Sequence, residues 1–115
     1  MKLAIVGSRN YEDYSEFKKT IKNSFDLNKI TEIVSGGARG VDKMAEKFAD
    51  ENNIPKKIFE ANWNQYGKRA GPARNRKIWE YADEGIAFLS VGSKGTKNSI
   101  EMANFFGKKV KVVNI

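Results

Sequence analysis

Five short runs rich in valine, isoleucine and phenylalanine alternate with stretches of helical periodicity, and this alternation restricts the fold more than any other feature. The runs are Lys2–Val6, Glu32–Ser35, Lys57–Glu60, Gly85–Leu89 and Lys109–Val113. Most are continuously apolar, the pattern of strands covered on both faces. Between them, Tyr14–Phe25 places Tyr14, Phe17, Ile21 and Phe25 at helical spacing, and Val41–Asn52 gathers Val41, Met44, Ala45, Phe48 and Ala49 on one face. Pro72 suits a first helical turn and opens a third helix through Tyr81, while a fourth spans about Lys97–Phe106 and stops before Gly107. Strict β-α alternation predicts parallel crossovers with helices on both faces. The expectation is a Rossmann-like three-layer α/β sandwich, residues 1–115 forming a single domain around a mostly parallel sheet of about five strands.

Composition narrows the chemistry. The chain contains neither cysteine nor histidine, which excludes disulfides, thiol nucleophiles, imidazole bases and the usual zinc ligands. No metal and no cofactor is expected. The opening apolar run, Leu3 to Val6, is far too short for a signal peptide or a membrane span, so a cytoplasmic location without membrane contact is expected. The net charge of +7 is unevenly spread: residues 1–63 carry 11 basic and 10 acidic side chains, residues 64–115 carry 10 and 4. An anionic partner, including weak nucleic-acid binding, and lysines kept for solubility both account for this excess.

In an open parallel sheet, ligands bind beyond the carboxyl ends of the strands, and the unusual residues fall there. Gly7-Ser8-Arg9 follows the first run, Ser35-Gly36-Gly37-Ala38-Arg39-Gly40 the second, and Gly92-Ser93-Lys94-Gly95-Thr96 the fourth. Gly36-Gly37 before a helix near Val41 suits a phosphate, although a tight turn without ligand explains it too. Arg9 and Arg39 offer forks for phosphate oxygens, or pair with Asp13 and Asp42 on the surface. The stretch Asn62–Lys77 reads as a long loop with aromatics and five cations, and no acid occurs from Ala61 to Trp79. Trp63 is either a stacking platform or a core plug.

In combination, V-G-S-R at Val6–Arg9, S-G-G-A-R-G-V-D at Ser35–Asp42, W-N-Q-Y-G-K-R-A-G-P-A-R-N at Trp63–Asn75, A-D at Ala82–Asp83 and G-T at Gly95–Thr96 resemble the YspA-like, cpYpsA-related family. That family belongs to the SLOG superfamily of Rossmann-like nucleotide-binding domains, with the Lonely guy proteins and the DNA-processing protein DprA. The resemblance implies contacts to a nucleotide or nucleotide-derived ligand from Gly7, Ser8, Arg9, Gly36, Gly37, Ala38, Arg39, Arg74, Asn75, Gly95 and Thr96. Ser35, Asp42, Asn62 and Trp63 complete the candidate ligand-binding set. The family usually has Ala-Asp-Trp where this chain has Ala61-Asn62-Trp63, which removes a carboxylate from the pocket edge.

Lonely guy enzymes cleave the N-glycosidic bond of nucleoside monophosphates with an arginine and a glutamate, the latter three residues after the motif threonine. Here Arg74 stands nine residues before Asp83, as in that pattern, but Ser99 occupies the glutamate position. Glu101, two residues on, points about 200° away around a helix. The expected function is therefore binding, by sensing or sequestration, of a phosphate-containing nucleotide. Phosphoribohydrolase-like cleavage and DprA-like DNA binding are the alternatives. A homo-oligomer is expected, with Trp79, Phe105 and Phe106 facing a partner subunit or packing on the sheet.

Overall fold

Alternate side chains of a strand point to opposite faces, and the first strand shows how the layers are built. In a computed structural model describing residues 1–115, β1 (Lys2–Gly7) sends Leu3 and Ile5 to one face and Ala4 and Val6 to the other. Around β1 lie β2 (Glu32–Ser35), β3 (Lys56–Ile58), β4 (Glu84–Leu89) and β5 (Lys109–Asn114). They are ordered β3-β2-β1-β4-β5, and every pairing is parallel. The sheet is thus wholly parallel. The helices α1 (Tyr14–Ser24) and α2 (Val41–Glu51) cover the Leu3 face through Phe17, Ile21, Ala45 and Phe48. The helices α4 (Ala70–Tyr81) and α5 (Lys94–Phe105) cover the other through Ile78, Trp79 and Ala103. Both faces of a parallel sheet must be covered in this way, and the three-layer α/β expectation holds.

Several boundaries differ from the sequence expectation, each for a local reason. The third strand starts at Lys56 and ends at Ile58, because β2 offers it only Ile33 to Ser35 as partners. The stretch Asn62–Lys77 is not a long loop. Asn62 caps a short helix α3 (Trp63–Tyr66) by accepting from Gln65 N at 3.0 Å, and a 3-10 turn (Gly67–Arg69) leads directly into α4. α5 begins at Lys94, three residues before the expected start. Glycine at position 95 hides the first turn from a propensity reading, yet costs little where backbone N–H groups lack helical acceptors anyway. Its end is as expected: Gly107, at φ +67, lets Lys108 N return to Ala103 O at 2.9 Å.

Trp79 does not face a partner. It is fully buried, and its Nε1–H donates to Ser99 Oγ at 2.7 Å, satisfying both polar groups inside the α4–α5 layer. Phe105, in contrast, is 73% exposed.

The Trp79 ring lies on β4 where Gly85 has no side chain. A Cβ there would collide with the ring and stand 2.7 Å from the Ala4 carbonyl oxygen. Overpacking of this kind costs about 3 kcal/mol where backbone is the obstacle, so Gly85→Ala should lower the denaturation midpoint in urea sharply. An unchanged midpoint would contradict this packing.

Candidate functional site

Because all strands run the same way, their carboxyl ends open onto one edge of the sheet, and the turns after β1, β2 and β4 meet there. The junction is tight. Gly40 adopts φ +75, and a Cβ on it would stand 2.6 Å from the Arg9 carbonyl carbon, so the β2–α2 turn lies directly on the β1–α1 turn. Val41 N–H donates to Ser8 O at 3.1 Å and Ser8 N–H to Phe88 O at 3.0 Å, which ties the three turns together. Between these turns, the first half of α4 and Trp63 lies a cleft of about 600 Å³, floored in part by Val6 and Ile78. This is within the usual range for small-molecule sites.

Two neighbouring residues of α4 bridge the cleft in opposite directions. Arg74 donates through Nη1 to Gly36 O at 2.7 Å and through Nε to Asn75 Oδ1 at 3.0 Å. Asn75 then donates to Asn98 Oδ1 at 2.9 Å, with a longer contact to Gly95 O at 3.4 Å. A Cβ at Gly36 would strike the Arg74 guanidinium and come within 2.9 Å of Asp42 Oδ2. Glycine is therefore the only residue that lets these two groups close on the turn.

Asp42, in the first turn of α2, is 6% exposed and is the one carboxylate among the cleft-lining residues. Its Oδ2 accepts from Ala38 N–H at 3.2 Å, and Ser35 Oγ donates to its backbone oxygen at 3.2 Å. Burial pushes its carboxyl up to about 6, against the opposing pull of the Ala38 N–H and the Arg74 and Arg9 charges. Burial also lowers the pKa of Arg74, while Asp42 opposes that shift.

At the other side, α5 presents an uncapped N-terminus. Ser93 gives it no side-chain cap, its hydroxyl pairing instead with Ser90 Oγ at 2.8 Å. First-turn N–H groups have no acceptor within a helix, and the positive end of the dipole lies with them. Thr96 is 7% exposed, lines the cleft and has no hydrogen-bond partner for its hydroxyl in the protein. Lys94 and Gly95 stand beside it.

Of the residues expected from sequence, the cleft brings together Gly7, Ser8, Arg9, Ala38, Asp42, Trp63, Arg74, Asn75, Gly95 and Thr96. Ser35 and Gly36 buttress it from behind through Asp42 and Arg74. Gly37 packs toward Ile58 and Glu60, Arg39 is exposed, and Asn62 caps α3. Trp63 is no core plug, being half exposed, with the Arg9 guanidinium 5.9 Å from its ring centre. Asn10, Gly71, Pro72, Gly92, Ser93, Lys94 and Asn98 also line the cleft. Asn98 and Lys94 follow from starting α5 at its true first turn, because residues 94, 95 and 98 then share one helical face.

The glycosidase pattern puts no acid in the cleft, where Ser99 holds the glutamate position in the lining. Ser99 is engaged by Trp79, Glu101 is exposed outside the cleft, and Asp83 accepts from Lys2 N–H at 2.7 Å at the opposite end of the sheet.

A model of the YspA, cpYpsA-related SLOG family matches residues 1–66. The chain is 28% identical over 120 residues to the Gene 61 protein of Mycobacterium phage D29, covering 98% of this chain and 94% of that protein. Its fold is similar to that of DNA processing protein A from Streptococcus pneumoniae, with a TM-score of 0.79 at 23% identity over 96% of this chain. The chain spans about half of that protein, 49% of its length.

The raised pKa of Asp42 has a definite consequence for stability. Below about pH 3 the group is neutral in folded and unfolded chains alike. Between about 4 and 6 the unfolded chain releases the proton and the folded one keeps it, so stability falls as pH rises and the cost levels off about a unit above 6. Asp42→Asn does not ionise. Relative to the unmodified chain it should gain about 3 kcal/mol between pH 3 and pH 8, measured by urea denaturation across that range. Parallel stability profiles for the two proteins would contradict the assignment.

Proposed function

The chain belongs to the YspA, cpYpsA-related SLOG family, and from that premise we propose that its cleft binds a phosphate-bearing nucleotide or nucleotide-derived molecule and holds it without turning it over. The observation that carries this reading is electrostatic convergence. The open N-terminus of α5, with the Thr96 hydroxyl, and the guanidiniums of Arg9 and Arg74 face a cleft with a single carboxylate. Such a site stabilises an oxyanion through preset N–H dipoles and forked donors.

Chemistry at the glycosidic bond needs a carboxylate placed against a cationic, oxocarbenium-like state or the attacking water. Ser99 and the outward Glu101 leave that role empty, and Asp42 stands near two guanidiniums that disfavour a neighbouring cation. Binding for sensing or sequestration follows. A nucleic-acid partner is the second reading, favoured by exposed Trp63 and Tyr66 beside Lys68 and Arg69. Base stacking next to cations is the usual platform for single strands.

Calorimetry with nucleoside mono- and diphosphates separates these readings. Arg74→Ala and Thr96→Val should each weaken binding, the arginine variant by about 10- to 100-fold. Arg39→Ala should leave it nearly unchanged, and the recovered nucleotide should retain its base. Unaltered affinity in both cleft variants would overturn the assignment. So would tight single-stranded DNA binding that falls steeply with salt and is undisturbed by mononucleotides.

A further inference from the structure

Asp42 is the group that the anion-binding reading does not use. A buried carboxylate in a cleft meant for anions repels the ligand's charge, and a buried charge is costly unless it is hydrogen-bonded. Ala38 N–H satisfies Oδ2, whereas Oδ1 has no hydrogen bond within the protein and is accessible from the cleft. No cation lies within ion-pair distance of it, the three ion pairs of the chain being formed elsewhere. At neutral pH the group is ionised and only accepts; the Arg74 and Arg9 charges offset part of it from beyond ion-pair distance, and Glu46 on its own helix adds a like charge. What completes it is a neutral donor, not a second phosphate.

The strand order says which part of a nucleotide supplies that donor. The strands end in the order β3-β2-β1-β4, and the segments after them carry Trp63, Asp42, Arg9 and Thr96 in turn, with the Arg9 guanidinium reaching back to 5.9 Å from the Trp63 ring centre. Adjacent strands are about 4.8 Å apart, which puts the β2 and β4 ends about 10 Å from each other. A phosphate at the α5 N-terminus and a base against half-exposed Trp63 therefore occupy opposite ends. The sugar joins them covalently and lies between, over the Asp42 wall.

We propose that Asp42 accepts a hydrogen bond from a ribose hydroxyl of the bound nucleotide, so that the cleft selects ligands by their sugar as well as their phosphate. This rests on the nucleotide-binding reading, and the two fail separately. The experiment is calorimetry at pH 7.5 with the adenosine, guanosine, cytidine and uridine 5′-monophosphates and their 2′-deoxy and 3′-deoxy forms. These are titrated into the unmodified chain, Asp42→Asn and Asp42→Ala. The unmodified chain should prefer the ribonucleotide over at least one deoxy form by about 10-fold or more, as expected for a charge-assisted hydrogen bond. The preference should shrink in the near-isosteric Asp42→Asn and vanish in Asp42→Ala, with phosphate-dependent binding retained in both. Equal affinity for all three sugars in the unmodified chain, or a preference that survives in Asp42→Ala, overturns the inference and leaves the nucleotide reading standing. Absence of saturable binding for every nucleotide overturns both.

Discussion

A parallel sheet sends all its carboxyl ends to one edge, and nearly everything about this protein's candidate site follows from that alignment. Each crossover helix must start at that edge, so α2 and α5 begin there, and α4, leading back from β3 across the other face, begins there too. Helix N-termini gathered at one place make a region of unsatisfied N–H groups without any single residue being specialised for it. The chain then differentiates them. At α2 the Ser8 carbonyl takes the Val41 N–H, and Asp42 takes the Ala38 N–H of the preceding turn, whereas α5 is left open beneath Thr96.

The cost of this arrangement falls on a few buried and half-buried polar residues. Arg74 and Asn75 are held by bonds to two different turns, to Gly36 O and to Asn98, so the α4 start is fixed against the sheet edge rather than left as a loose flap. Asp42 is the strained member. It is placed where burial disfavours its charge, and a group whose ionisation lowers folding stability is the sort that a ligand donor can relieve.

The strands were legible because continuous apolar runs survive without tertiary information, and the helices because Phe17 with Ile21, and Ala45 with Phe48, repeat at helical spacing. The turns at Gly7 and Gly95 could be placed for the same reason, since strand ends in an α/β chain locate ligand groups before any contact is known. What escaped the sequence was long-range. Nothing local tells that Arg39 turns outward while Arg74, from the far side of the chain, replaces it at Gly36. The polar stretch around Tyr66 looks like a loop until Asn62 caps α3. Trp79 and Phe105 look alike in an amphipathic pattern, yet the Trp79 ring is buried over Gly85 and Phe105 is exposed.

The central claim, that a phosphate-bearing nucleotide lies along the carboxyl edge from Trp63 to Thr96, is tested most directly by backbone amide NMR during titration with a nucleoside monophosphate. Saturable shifts should appear together at the amides of Ser8, Ala38, Gly95 and Thr96 and at the Trp63 indole N–H. Lys2 and Asp83, at the opposite edge of the sheet, should stay still. Absence of saturable shifts, or shifts confined to that opposite edge, would contradict the account.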